Sequence, residues 1–348
     1  LIAKFPLMKA RKILITVAIL ASLLAYRYYS QRTMEFLIEE DQMCLQREWY
    51  ESSQINSTAD YGNSYQISFS DVQSTFKWIH IPKISGSPEI LLIVLSRPDD
   101  FSRRNVIRHT WMSQENEIKY LFLIGLGANM DGKIKEVVMA EAKLFGDIVV
   151  TSMEDRYSKL SFKTLTLLLF GVSKVPSAQL IGKIDGDVLF FPNLFLSTIK
   201  NENSMINVTS ASVYGKIAEA GVPIVSNCCK RFLKYNFRRN SLISFGCTRY
   251  AFYLAGPFYL VTRSAALRLL EASKHRNFHK IEDTLITGVL ADDTDVSRVQ
   301  LHRINLGQEK GTDLVFAWHS PLNDPEYKDL YYKTMSSQQF KEKLRLQE

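Results

Sequence analysis

The sequence predicts an α/β fold in which a mostly parallel sheet carries helices on both faces, and three observations predict it. Of the 348 residues, 46% are hydrophobic and 23% are charged, which suffices for a sizeable buried core. From Glu89 onward, apolar runs of strand length alternate with amphipathic stretches of helix length, the pattern of repeated strand–helix units. The fourth such strand ends on two acids, Asp185 and Asp187. Open α/β sheets bind ligands outside the carboxyl ends of their strands.

The elements follow in order. "EILLIVLS" (Glu89 to Ser96) reads as the first strand, and "SRRNVIRHTWMSQ" as a helix with Ser102 at its N-cap. "KYLFLIGLG" is a second strand, followed by a helix near Lys133 to Phe145. "DIVVT" is a short third strand, "SKLSFKTLTLLLFGVS" a helix, and "AQLIGKID" the fourth strand.

Ahead of this body the composition differs. "ILITVAILASLLAY" (Ile13 to Tyr26) carries no charge and lies between Lys9, Arg11 and Lys12 on one side and Arg27 on the other. Its fourteen residues are fewer than the ~20 of a typical spanning helix, but flanking basic and tyrosine side chains extend the reach. A cleaved signal peptide is the competing reading, and no small-x-small cleavage site follows the run. Positive charge precedes the segment, and Glu35, Glu39, Glu40 and Asp41 follow it. The expectation is therefore a cytosolic tail over 1–12, an uncleaved type II signal-anchor over 13–29, a polar lumenal stem over 30–88 and a folded body over 89–348. Sequons at Asn56 and Asn207 agree with a lumenal body. Such a compartment permits disulfides: Cys228 or Cys229 to Cys247, with Cys44 available to link two chains as a homodimer. The net charge of +7 suits an anionic ligand or membrane headgroups, or is simply a basic surface; without a dense basic stripe or a known motif, nucleic acid is not expected.

The stretch "KIDGDVLFFP" (Lys183 to Pro192) poses the chemical question, because carboxylates in an apolar segment need partners. A D-x-D pair on a turn points both acids to one side, where oxygen ligands suit Mg²⁺ or Mn²⁺. "DGD" is equally a good turn sequence, with Gly186 supplying backbone freedom.

The surrounding blocks resemble those of the beta-1,3-galactosyltransferase family (glycosyltransferase family 31) in content and order. They are "RRNVIRHTW", "FLIG", "EDRYSKLSFKT", "KIDGD", "YAFYLAGPFYLVT" and "EDTLITG". The resemblance implies a GT-A nucleotide-sugar transferase domain, a UDP-sugar donor, a glycan acceptor on glycoprotein or glycolipid, and a Golgi membrane location for the type II chain. It implies that Asp187 ligates Mn²⁺ (or Mg²⁺) with Asp185 alongside, and that His319 in "LVFAWHSP" approaches the same ion. The family's middle acid, which helps hold the donor, is Gly186 here. "EDTLITG" matches the block whose Asp is the general base, which assigns Asp283 to deprotonate the acceptor hydroxyl; alternatively Glu282 and Asp283 simply begin a helix. Lys163 and Lys183 are candidate donor-site cations, with Lys159 and Ser161 standing where Asn and Thr are usual. Arg104, Arg108 and Trp111 share a helix face and either set charge near the diphosphate or pair with carboxylates around a core Trp. Ala251 and Leu254 replace the usual Pro and Cys of the aromatic block, whose rings either stack on the acceptor or fill the core. The expected activity is inverting transfer of galactose or an N-acetylhexosamine in beta-1,3 linkage. The alternative is a non-catalytic family member that binds glycan or assists another transferase.

Overall fold

The structure, a computed structural model, describes residues 20–28, 64–114, 117–200, 206–218, 252–307, 315–319 and 322–345. Strands β1 (Tyr65–Ser68), β2 (Gln73–Phe76) and β3 (Trp78–His80) precede β4 (Ile90–Leu95), α1 (Phe101–His109), β5 (Ile118–Gly125) and α2 (Gly132–Phe145). Next come β6 (Ile148–Thr151), α3 (Leu160–Lys174), β7 (Leu180–Asp185), β8 (Val188–Phe190), α4 (Pro192–Lys200), β9 (Ser212–Ala218), β10 (Tyr253–Thr262) and α5 (Arg263–Ala272). The helix α6 is π-helical over Thr284–Val289 and α-helical over Leu290–Asp293. β11 (Ser297–Gln300), β12 (Ile304–Asn305), β13 (Ala317–His319) and α7 (Asp324–Arg345) follow.

Eight strands form the main sheet in the order β11-β9-β10-β7-β4-β5-β6-β3. β4, β5, β6 and β7 are mutually parallel, and β9 and β11 share their direction; β10 and β3 run against them. Six of eight strands thus point one way, as the strand–helix alternation predicts. β4, "ILLIVL", is buried along its length because both faces are covered. Its period-two alternation sends Leu91 and Ile93 into one core, with α3, α5 and α6, and Ile90, Leu92 and Val94 into the other, with α1, α2, α4 and α7. A second sheet, β12-β13-β8, flanks the carboxyl end of β7.

Three expectations are corrected. The folded body starts by Tyr65 rather than Glu89: β3 pairs with β6, and Ile67, Phe69 and Phe76 enter the core, so the polar run hides a short amphipathic hairpin. Ser102 lies within α1, whose N-cap is Asp100, without a side-chain capping bond. Arg104 is not a donor-site group. Its guanidinium is fully buried and its donors are used on Glu141, Ser96 Oγ and the carbonyls of Arg97 and Pro98. Arg108 pairs with Glu141 and Asp147, and Trp111 is core; this is the carboxylate-paired alternative.

Residues 20–28 are helical, and the rest of the expected anchor lies outside the described residues. Among the described residues no helix is long and apolar enough to cross a membrane. Asn207 is exposed, whereas Asn56, Cys44, Cys228, Cys229 and Cys247 lie outside the described residues.

Because Arg104 and Glu141 are sealed together, Arg104→Met leaves a buried carboxylate with only Arg108 to meet it. Chemical denaturation should show a loss of about 3 kcal/mol in stability. The donor KM of the folded fraction should be unchanged; a raised donor KM would return Arg104 to the donor site.

Candidate active site

The parallel register aligns Leu95 of β4 with Asp185 of β7, so Ser96 and Gly186 leave the sheet side by side at its carboxyl edge. β7 then turns through Gly186 and Asp187 into β8. On the far side of the turn, β13 pairs with β8 and sets His319 opposite Val188. That register brings His319 Nε2 to 3.2 Å from Asp187 Oδ2. The contact raises the imidazole pKa. Burial works to raise the Asp187 carboxyl, but the His319 hydrogen bond, the imidazole charge, a backbone hydrogen bond and the Arg103 charge together outweigh it, and the net shift is downward.

Beneath the turn lies a buried ammonium. Lys183, 1% exposed, donates to Asp185 Oδ1 (2.8 Å) and to the Gly256 carbonyl, and lies 3.5 Å from Glu282 Oε2. The antiparallel pairing of β10 with β7 sets Tyr259 opposite Lys183, and the Tyr259 hydroxyl donates to Glu282 Oε1. Gly256 N–H donates to Asp283 Oδ2 (3.1 Å), and Thr284 N–H donates to Asp283 Oδ1 (2.9 Å). Asp283 is thus the N-cap of the π-helical segment. A Cβ on Gly256 would lie 3.3 Å from Asp283 Oδ2, so the glycine permits the approach. Its two backbone groups connect Lys183 to Asp283.

Charge in this cluster is unbalanced. Asp185, Glu282 and Asp283 face one ammonium. Burial would depress the Lys183 pKa, but Asp185 and Glu282 raise it on balance. Burial raises the carboxyls of Asp185 and Asp283 and pushes Glu282 up to about 7. An acid surplus at a partly open turn favours a bound cation. Asp187 Oδ1 is buried without a hydrogen-bond partner, which also fits one. Among the described residues no three acidic, histidine or cysteine side chains group closely enough to enclose an ion by themselves. Mg²⁺-like cations are commonly held by one or two carboxylates with substrate phosphates, and Asp187 and His319 are the side chains here that could serve in such a partial shell.

The structure brings together most of the residues singled out in the sequence. Asp185, Asp187, His319 and Asp283 converge at the end of β7; Lys183 lies beneath them, buried with its donors spent on Asp185, the Gly256 carbonyl and Glu282, so it supports the site rather than meeting the donor as expected. Lys163 is buried, pairs with Asp155 and donates to the Ser96 carbonyl at 2.8 Å. Asp155 is held close because Gly125 N–H donates to it (3.2 Å), and a Cβ at Gly125 would stand 2.5 Å from the Met153 carbonyl oxygen. A cleft of about 340 Å³ adjoins this pair, lined by Gly127 to Asp131 and Glu154 to Arg156. Gly186 does not have the role expected of it: its backbone is not left-handed, and a Cβ there would make only ordinary contact with Arg103 Cγ at 3.5 Å. Tyr259 and Phe258 are core, and Phe252 is exposed. Glu282 and Gly256 escaped the sequence reading as Lys183 partners. Their only signal was position beside Asp283 and within an aromatic strand.

The end of β7 thus gathers paired acids, a buried carboxylate across from them and a neighbouring cleft, an arrangement able to hold a charged ligand and move a proton. The chain belongs to the Galactosyltransferase family, whose sequence profile matches residues 102–302. It is 39% identical over 334 residues, 92% of this chain and 89% of the relative, to the beta-1,3-galactosyltransferase bre-2 of Caenorhabditis elegans. It is 26% identical to a mouse lactosylceramide 1,3-N-acetyl-beta-D-glucosaminyltransferase, over 68% of this chain and 64% of that protein. With the human UDP-GalNAc:beta-1,3-N-acetylgalactosaminyltransferase 1 the identity is 25%, over 68% and 67%. The chain is a hexosyltransferase acting on glycans, and the non-catalytic alternative gives way.

Glu282 makes stability depend on pH. Its carboxyl holds a proton in the folded chain up to about pH 7, against 4.5 when free. Stability from this group is therefore complete below about 4.5 and is lost as pH rises through 7, by up to about 3 kcal/mol. Thermal melts at pH 5.5 and pH 8 should show a drop in wild type that Glu282→Gln flattens. An equal drop in both would remove Glu282 as the cause.

Proposed function

We propose that this hexosyltransferase inverts the anomeric centre, moving galactose or an N-acetylhexosamine from a UDP-sugar to a hydroxyl of a glycan in beta-1,3 linkage. The observation that carries the reading is the shared frame of Asp185 and Asp283, joined through Lys183 and the backbone of Gly256. The turn on the donor side and the acid on the acceptor side are thereby held in one rigid unit, in a GT-A-type body. UDP-galactose is the first donor to test, since the C. elegans relative at 39% identity is a beta-1,3-galactosyltransferase.

In this reading Asp283 takes the proton of the acceptor hydroxyl. Its two backbone hydrogen bonds fix the carboxylate, and burial raises its basicity. The hydroxyl oxygen bonds to the anomeric carbon as the bond from that carbon to the UDP oxygen breaks, and the electron pair leaves with UDP. Attack opposite the leaving group turns an alpha-linked donor into a beta-linked product. A divalent cation, Mn²⁺ or Mg²⁺, held by Asp187 and His319 with Asp185 alongside, would neutralise charge on the departing diphosphate. Lys163, tied to Asp155, borders the cleft that would take the donor. The chain would sit in the Golgi membrane as a single-pass type II protein, residues 13–29 its anchor and the polar run before Tyr65 its stem, with Cys44 placed to join two copies.

Two substitutions separate the roles. Asp187→Ala should abolish both turnover and the Mn²⁺ response of UDP binding. Asp283→Asn should lower kcat by about 10²–10⁴-fold while UDP binding, followed by calorimetry, stays near wild type. Loss of both in Asp283→Asn would make Asp283 a structural residue.

A further inference from the structure

The turn that carries Asp187 is held from a direction the mechanism does not use. Arg103 lies on α1 one residue before the stabilising Arg104, and so about 100° around the helix from it. It donates through Nη1 to the Gly186 carbonyl (3.2 Å), through Nε to Asp324 Oδ1 (2.6 Å), and through Nη2 to the Leu322 carbonyl. Its guanidinium lies 4.5 Å from the centre of the Tyr327 ring, and its side chain is 12% exposed. Tyr327 belongs to α7. Its hydroxyl donates to the Val188 carbonyl (2.6 Å) and accepts from Trp111 Nε1 (2.8 Å). The carbonyls on either side of Asp187 are thus both occupied, one by α1 and one by α7. Arg103 ties those two helices to each other through Asp324 and stacking.

We infer that Arg103 and Tyr327 are positioning residues for Asp187: they clamp Gly186 and Val188 and so fix the backbone that aims its carboxylate at the cation. The inference rests on the cation reading given above. Three of the five guanidinium donors are used in a planar arrangement on a carbonyl, a carboxylate and a second carbonyl, which a lysine cannot reproduce. A Cβ at Gly186 would make only ordinary contact with the Arg103 stem, so the clamp does not depend on a glycine at that position.

The test is calorimetric titration of UDP into the full chain at a series of Mn²⁺ concentrations, with melting temperature measured in parallel. Outer-shell partners of metal ligands are worth about 10- to 100-fold in metal affinity. Arg103→Ala should raise the half-saturating Mn²⁺ by that factor, with kcat recovering at saturating Mn²⁺. Arg103→Lys should fail to rescue it. Tyr327→Phe, which removes the tie to Val188 together with the acceptor of Trp111 Nε1, and Asp324→Asn, which removes the charge from the Arg103 pair, should produce smaller shifts in the same direction. Arg276→Ala breaks the bidentate pair with Asp293, which touches neither the turn nor α7, and serves as the stability control. A half-saturating Mn²⁺ unchanged in Arg103→Ala and Tyr327→Phe would overturn the clamp. So would a shift that Arg276→Ala reproduces at equal loss of melting temperature. A wild type whose UDP binding ignores Mn²⁺ would overturn the cation reading, and the clamp with it.

Discussion

One buried ammonium constrains the rest of this molecule. Lys183 sits in the middle strands of the sheet with almost no exposure, where an unpaired charge is untenable. Its neighbours are therefore fixed by necessity: Asp185 two residues along the same strand, the Gly256 carbonyl on the antiparallel neighbour, and Glu282 from the helix packed over both. The converse also holds. Three acids this close would repel one another and protonate without the lysine. Each side makes the other's burial possible, and Asp283 inherits its location from the same arrangement.

The end of β7 is held from both faces of the sheet. Lys183, Tyr259 and the start of α6 belong to one face of the sheet, whereas Trp111, Phe190, Tyr327 and Tyr331 belong to the other. Asp185 is held from the first face by Lys183, and the turn around Asp187 is held from the second by Arg103, Tyr327 and His319. The adjacent arginines of α1 divide these duties: Arg104 is sealed against Glu141 to hold α1 to α2, and Arg103 points to the turn. A single helix thus serves stability on one side and the site on the other.

Much of the frame was legible in the sequence because its signals are local. β4, β5, β6 and β7 each announce themselves as apolar runs, and their order predicts the parallel core and the location of Asp185. Asp187, His319 and Asp283 could be selected because they sit in ordered blocks. What escaped was set by contacts distant along the chain. Nothing near Arg104 says that Glu141 will cover it, and nothing near Arg103 says that Asp324 and Gly186 will. Gly256 looks like one more residue of an aromatic strand until the backbone of β10 is laid beside Lys183. The hairpin before β3 was hidden by its polar composition, since only Ile67, Phe69 and Phe76 mark its buried side. The DGD glycine misled in the other direction: a residue type known for unusual backbone angles stands here in an ordinary one.

The ties that hold the turn reach far along the chain. Arg103 spans 83 residues to Gly186 and 219 and 221 to Leu322 and Asp324, and Tyr327 spans 139 to Val188. Closing loops of that length costs chain entropy, but the cost grows only logarithmically with length. The residues that make these ties, Tyr327 and Trp111 above all, are themselves buried in the core. The acid turn is therefore set by segments far apart in the chain, and its position is a property of the assembled tertiary structure rather than of the local sequence around it.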